Sequence, residues 1–242
     1  VDANGLPKIS TTNKTLGKFT PDWTGGISNT FSYRSLSLSF LIDASVGGSI
    51  FSNTNKTGKY TGVLANTLSG RDAEHGGLWY YTAAMGNNVR LPESPSYSVS
   101  SDGLYYAQVN GQSTRVYQDG IMVEGVTESG SKNEEVVSAE KYYHRIYSIA
   151  EANVYDASYV KLREVALSYR LPRLWTQKLH LQEASVTLTG RNLWTIYKSV
   201  PNIDPESALT TGNAQGVEAY SLPTTRSFGV NLSLIHISEP TR

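Results

Sequence analysis

Cysteine is absent from all 242 residues. That removes disulfide frameworks, thiolate metal sites and cysteine nucleophiles. Histidine is scarce, with only four copies, and no H-E-x-x-H, G-x-S-x-G or phosphate-cradling loop occurs. Charge of one sign is also missing. Lys plus Arg and Asp plus Glu stand at 21 each, so neither a nucleic-acid partner nor a broadly basic membrane-binding surface is indicated. No apolar run approaches the roughly 18 to 20 residues of a transmembrane helix. This leaves a β-barrel open, because barrel strands are apolar on one side only and score weakly in hydropathy windows. No cofactor is implied.

What is present is alternation. In Trp23–Tyr33, Trp23, Gly25, Ile27, Phe31 and Tyr33 take odd positions and Thr24, Gly26, Ser28, Thr30 and Ser32 even ones. In Leu36–Val46 the apolar set Leu36, Leu38, Phe40, Ile42, Ala44 and Val46 is even. Strict alternation at this length predicts extended strands with one apolar and one small, polar face. If Arg34-Ser35 is a two-residue turn, the change of parity sets Tyr33 opposite Leu36, Phe31 opposite Leu38 and Ile27 opposite Ile42. All the apolar residues then share one face. A sandwich strand runs about five or six residues, whereas one crossing an outer membrane needs about nine to eleven. This hairpin reaches the second length.

Three later segments repeat the pattern: Tyr159–Leu171, Ala184–Arg191 and Ser227–Leu234. In the first, Val165, Leu167, Tyr169 and Leu171 share a face, but Val160 and Leu162 have the opposite parity. A bulge near Arg163-Glu164 reconciles the halves. The connections alternate: Arg34-Ser35 and Pro172–Glu183 are short, while about a hundred residues separate Val46 from Tyr159 and about thirty separate Arg191 from Ser227. Outer-membrane barrels show such alternation, with short periplasmic turns and long outer loops. Within the long connection, Lys141–Ala152 after Val137-Ser138-Ala139-Glu140 predicts a helix near 138–150 with Ser138 as N-cap. Asn53, Asn55, Gly58, Gly76-Gly77, Asn87-Asn88 and Ser129–Asn133 are expected in turns.

Four stretches resemble the C-terminal barrel region of SusC/RagA-type TonB-dependent transporters of Bacteroidota: Asp22–Asp43, Asp156–Pro172, Thr189–Glu206 and Leu222–Val230. They occur in order and cover most of the chain outside about residues 50 to 135. The resemblance implies an all-β fold, an antiparallel transmembrane β-barrel fragment holding about five of the last strands of a 22-stranded barrel. It also implies a separate N-terminal plug, energy from TonB, a SusD-like surface lipoprotein as partner, outer-membrane lipid around the wall, and oligosaccharide or peptide as cargo. Residues 1–234 are then the barrel part. Val1 is not an initiator residue and no signal segment precedes the first strand, so a longer parent protein is expected. Leu232–Arg242 (L-S-L-I-H-I-S-E-P-T-R) resembles the translation of a sequencing-library adapter. A non-native, frayed tail is therefore expected over 235–242, with its start as early as 232.

On this reading Ser37, Ser39, Asp43, Thr187 and Arg191 face the lumen. Leu36, Leu38, Phe40, Ile42, Val186, Leu188, Phe228 and Val230 face lipid, and Trp23, Tyr33, Trp175 and Trp194 are interface-girdle or turn residues. No catalytic residue is expected. Trp79, Tyr80, Tyr81, Tyr105 and Tyr106 are candidates for stacking on cargo, against the alternative that they pack the long connection on itself. No metal is expected, although Asn202, Asp204 and Glu206 place oxygens at alternate positions that could hold calcium. His75, His144 and His180 read as loop, packing or solvent residues. Two rivals remain. A secreted carbohydrate-binding β-sandwich would use shorter strands and close its apolar faces into a core. An outer-membrane hydrolase would need a Ser–His pair within hydrogen-bond reach.

Overall fold

The computed structural model describes residues 1–178, 180–208, 212 and 214–236. In chain order the elements are β1 (Trp23–Tyr33), β2 (Leu36–Val46), β3 (Ser49–Ser52), α1 (Asn53–Thr61), β4 (Leu78–Thr82), β5 (Asn88–Arg90), β6 (Tyr97–Val99), β7 (Tyr105–Val109) and β8 (Gln112–Ile121). Then follow β9 (Val137–Ser138), α2 (Ala139–Ser148), β10 (Val154–Asp156), β11 (Tyr159–Arg170), α3 (Arg173–Lys178), β12 (Leu181–Lys198), β13 (Val217–Glu218) and β14 (Ser227–His236). Two compact units result. One comprises Val1–Leu16 and Asn53–Val154, the other Gly17–Ser52 and Tyr155–Arg242.

The second unit carries an open five-stranded antiparallel sheet in the order β1-β2-β11-β12-β14. Each strand pairs with the next of these in the chain, as in a meander. The β1–β2 register matches the sequence reading at every rung, with Tyr33 opposite Leu36, Phe31 opposite Leu38 and Ile27 opposite Ile42. Arg34 takes a φ of 54° to turn the chain in two residues, the backbone that two-residue hairpins with the strands' own twist require. The bulge falls where the parity demanded it: pairing shifts between Leu162 and Glu164, on both β2 and β12. β12 is longer than Ala184–Arg191 alone suggests, at 18 residues. The short connection before it contains a helix the sequence reading missed, α3, whose first turn closes with Trp175 N–H donating to Pro172 O at 3.0 Å. Next to the sheet, β3 and β13 pair in parallel, and Ile50, Val200 and Ile203 form a small buried core with Tyr155 and Ala157 packed on it.

The connection from β2 to β11 is not a long loop. Its residues 53–154 build most of the other unit, with a sheet in the order β5-β4-β8-β7-β6 and β9 added on β8. The short strands escape a reading by alternation because each spans too few residues to establish a period. α2 begins as expected, with Ser138 Oγ accepting from Lys141 N–H at 3.3 Å. Asn53, Asn55 and Gly58 are a correction: they lie in α1 rather than in turns. Packing overrides their poor helix propensity. Asn55 is fully buried, and a Cβ on Gly58 would come within 2.7 Å of Leu64 Cγ. Gly62, at a φ of 69°, follows the helix, and Val63 N–H donates back to Gly58 O at 3.1 Å, a glycine stop.

Expectations for 235–242 meet the structure at two residues. Ile235 and His236 continue β14, opposite Glu183 and Leu181, and are not frayed. The remainder, 237–242, lies outside the described residues.

Candidate functional site: a two-faced wall and its ion-pair cluster

The registers join separately written strands into continuous rows. One runs Tyr33, Leu36, Tyr169, Val186, Leu232, and the next runs Phe31, Leu38, Leu167, Leu188, Val230. A third holds Phe40, Val165 and Phe228, and a fourth Ile27, Ile42, Leu162 and Trp194. Interleaved on the opposite face lie Ser32, Ser37, Ser168, Thr187, Asn231, and then Thr30, Ser39, Ala166, Thr189. Side-chain bonds confirm the shared face: Ser32 Oγ to Ser37 Oγ and Ser168 Oγ to Thr187 Oγ1 are both 2.8 Å. Phe31 and Phe40 stack on the other side at 6.2 Å. Leu41 breaks the pattern, having the parity of Ser39 and Asp43.

The apolar face is uncovered. Phe228 is 80% exposed, Val230 74% and Phe31 59%. Aromatic residues mark both ends of it. Tyr33 and Tyr169 lie by the Arg34-Ser35 turn, and Trp23, Trp194 and Tyr197 lie at the far end, all exposed. The ten residue steps from Trp23 to Tyr33 span about 33 Å at roughly 3.3 Å each. Tilted at about 45°, that corresponds to roughly 23 Å, close to the apolar band of outer-membrane barrels.

At the far end the polar face carries an ion-pair cluster that sequence reasoning missed. Lys161 Nζ donates to Asp204 Oδ1 and Glu206 Oε2, each at 2.5 Å. Arg163 reaches Asp43 Oδ2 through Nε at 2.9 Å and Nη2 at 2.7 Å, and Glu206 Oε2 through Nη1 at 2.7 Å. Tyr159 O–H donates to Glu206 Oε1 at 2.9 Å. The bulge makes this possible. Lys161 and Glu164, three apart, both have polar-face partners, and Arg163 is the inserted residue between them. Arg191 pairs with Glu164 at 2.9 Å, in the open. The signal available in the sequence was two cations, Lys161 and Arg163, at the parity break of β11.

Asp204 and Glu206 thus serve cations of the protein. Among the described residues no group of three His, Asp or Glu side chains is placed to hold a metal, and of the oxygens suggested for calcium those of Asp204 and Glu206 are engaged by Lys161 and Arg163. Burial pushes the Asp204 carboxyl up, but hydrogen bonds from Lys161, Thr224 Oγ1 at 2.6 Å and Thr224 N–H at 3.1 Å outweigh it and hold the pKa at about 2. The cluster fastens the segment between β12 and β14 to the sheet.

Of the loop aromatics, Trp79, Tyr80, Tyr81 and Tyr105 pack against other residues of the same unit. Trp79 and Tyr80 are buried. Trp79 stacks on Tyr97 at 4.8 Å and meets Tyr105 edge-on at 5.5 Å, in a cluster with Ala107 and Val116 that Tyr81 also joins. Tyr80 stacks on Tyr117 and donates its O–H to Asp119 at 3.2 Å. Burial and the Asp119 charge push its pKa far up. Tyr106 is half-buried opposite Arg115. His75 holds Asp72 at 2.7 Å, and His144 stacks on Tyr60.

No protein-family model matches the sequence. A TonB-dependent receptor, P3 of Formosa agariphila, is 25% identical over 240 residues, 96% of this chain. The chain is similar to this TonB-dependent receptor. It spans 18% of that receptor's length. Among solved structures, the RagAB peptide importer in its closed-closed state covers 92% of this chain and 18% of its own, at 16% identity and a TM-score of 0.44. The open-open state gives 89%, 17%, 17% and 0.42. The chain is mostly β, with largely antiparallel pairing and few helices, and among the described residues no helix is long and apolar enough to cross a membrane.

Proposed function

We propose that this chain is a length of wall from a TonB-energised outer-membrane importer. The apolar rows face lipid and the Ser37, Ser39, Asp43, Thr187 and Arg191 face lines the lumen. One observation carries the reading: four apolar rows, written on separate strands, join in register into an exposed band bounded by aromatic residues. In water such a face, with unpaired edges at β1 and β14, invites aggregation. In lipid the face is solvated, and the edges need further strands, because open edges are not tolerated there. A 22-stranded barrel would supply them, with an N-terminal plug, a SusD-like lipoprotein over the outer loops, and oligosaccharide or peptide as cargo. The parent protein then sits in the outer membrane and needs no catalytic group. The sandwich rival requires the apolar rows to be covered, and they are exposed.

Single nitroxide labels in the full-length protein in lipid vesicles test the assignment. Labels at Leu38, Leu188 and Val230 are expected to collide with dissolved oxygen. Labels at Ser37, Ser39 and Thr187 are expected to collide with a water-soluble nickel chelate. The reversed pattern, or chelate access at all six, overturns it.

A further inference from the structure

The end of the large sheet at the Arg34-Ser35 turn carries charge of one sign. Arg170 N–H donates to Ser35 O at 2.8 Å, so the turn abuts the end of β11, and α3 follows directly after Leu171-Pro172. Arg34, Arg170, Arg173 and Lys178 stand on these segments, in a chain whose opposite charges balance at 21 each. The carboxylate at the start of β12, Glu183, is taken by Arg170 at 2.8 Å. Arg34, Arg173 and Lys178 are exposed, and among the described residues no carboxylate pairs with them.

Apolar side chains accompany these cations. Thr176 of α3 is buried, which turns that side of the helix toward the protein. With about 3.6 residues per turn, Leu174 lies nearly opposite, and it is 74% exposed. Lys178 is its i+4 neighbour on the outer side. Trp175 is 58% exposed. Arg34 Cζ sits 5.2 Å from the centroid of the Tyr33 ring, a cation–π contact that keeps the guanidinium beside an aromatic at the end of the apolar band. Tyr169, the other aromatic at that end, stands four positions before Arg173.

One chemistry meets both parts of this surface. Acyl chains cover Leu174 and Trp175, while phosphate accepts from guanidinium groups in pairs and from an ammonium that reaches out past its apolar stem. An acidic soluble protein would answer the cations, but not a surface that adjoins the exposed apolar rows. We infer that the turn end is a docking surface for anionic phospholipid. Arg34, Arg173 and Lys178 hold headgroup phosphates, and Leu174 and Trp175 enter the acyl region. This deepens the importer reading and rests on it, because short turns of outer-membrane barrels lie on the periplasmic side, where the leaflet is phospholipid.

The test uses the full-length protein in phosphatidylcholine vesicles that contain a small, equal share of either brominated phosphatidylglycerol or brominated phosphatidylcholine. A bimane fluorophore at Gln177→Cys reads bromine near α3, and one at Leu188→Cys reads it at the wall. Both brominated lipids are expected to quench the Leu188 label alike. At Gln177 the phosphatidylglycerol is expected to quench about fivefold to tenfold more effectively, since each basic side chain near an anionic surface contributes about fivefold. Replacing Arg34, Arg173 and Lys178 together by Gln should bring the two lipids to parity there, with the gel shift of the folded barrel retained. Lys132→Gln removes one charge from an exposed site of the inserted unit and should leave the preference intact. Equal quenching at Gln177 in the parent overturns the proposal, as does a preference that survives the triple replacement. Quenching at Leu188 with none at Gln177 overturns it and leaves the wall reading standing. Absence of quenching at both sites removes the wall reading as well.

Discussion

Phe40 and Ser39 are neighbours in β2 with opposite assignments, which makes them the sharpest comparison available. Phe40 sits beside the middle of the strand, one residue from Leu41, and shares its row with Val165 and Phe228. Arginine at the midplane of a lipid-facing strand costs about 2–4 kcal/mol, and substitutions on the lumen side are far milder. Phe40→Arg should therefore lower the free energy of folding into phosphatidylcholine vesicles by roughly 2–4 kcal/mol, a shift of about thirtyfold to a thousandfold in the folded-to-unfolded ratio. Ser39→Arg lies opposite Thr30 and Ala166 on the polar face and should stay within about 1 kcal/mol of the parent, as surface substitutions usually do. Urea titration of the full-length protein in vesicles, followed by the gel shift of the folded barrel, measures both. Equal losses, or a larger loss at Ser39, would refute the facing of the sheet.

Lys161 is almost fully buried between Asp204 and Glu206. Lys161→Met should destabilise the segment between β12 and β14 by about 3–5 kcal/mol, because buried Asp204 is left without its cation and Glu206 keeps only Arg163; amide exchange of residues 199–208 reads the loss. The Asp204 carboxyl, held at about 2 against an ordinary 3.8, contributes stability that is full above about pH 4 and disappears as pH falls through 2. Exchange in that segment should accelerate over that window, and in Asp204→Asn it should be fast already at neutral pH. Trp79→Ala removes the centre of the inserted unit's aromatic cluster and should cost about 3–5 kcal/mol, seen as a lowered melting temperature. Ser138→Ala deletes the N-cap of α2 and should cost about 1 kcal/mol by the same measurement.

The wall was legible in the sequence because alternation is a local property with a global consequence. Once the Arg34-Ser35 turn fixes one rung, every residue of β1 and β2 has its face and partner. The bulge was legible for the same reason, since a parity break at Arg163-Glu164 has few other physical causes. The inserted unit was not legible. β5 and β6 are three residues each, too short for periodicity, and six of the nine residues of α1 are Asn, Thr or Gly, which are poor helix formers. Its helix exists because Gly58 admits Leu64 and because Asn55 is buried, and both facts depend on residues distant from the pattern being read.

The ion-pair cluster shows how the two kinds of information meet. Alternation alone would place Lys161 and Arg163 together on one face and Glu164 on the other. The bulge that restores the apolar rows on both sides of it also delivers all three side chains to polar-face partners. Asp43, Asp204 and Glu206 supply the opposing charge there. Without those carboxylates the bulge would bury two uncompensated cations, a penalty of several kcal/mol per ion. Without the bulge, Val160 and Leu162 could not lie in line with Val165 and Leu167. The sequence features read separately, a parity break in β11 and the carboxylates Asp204 and Glu206 among the spaced oxygens at 202–206, are therefore one device. It keeps the apolar face continuous and fastens the segment between β12 and β14 to the polar face in the same step.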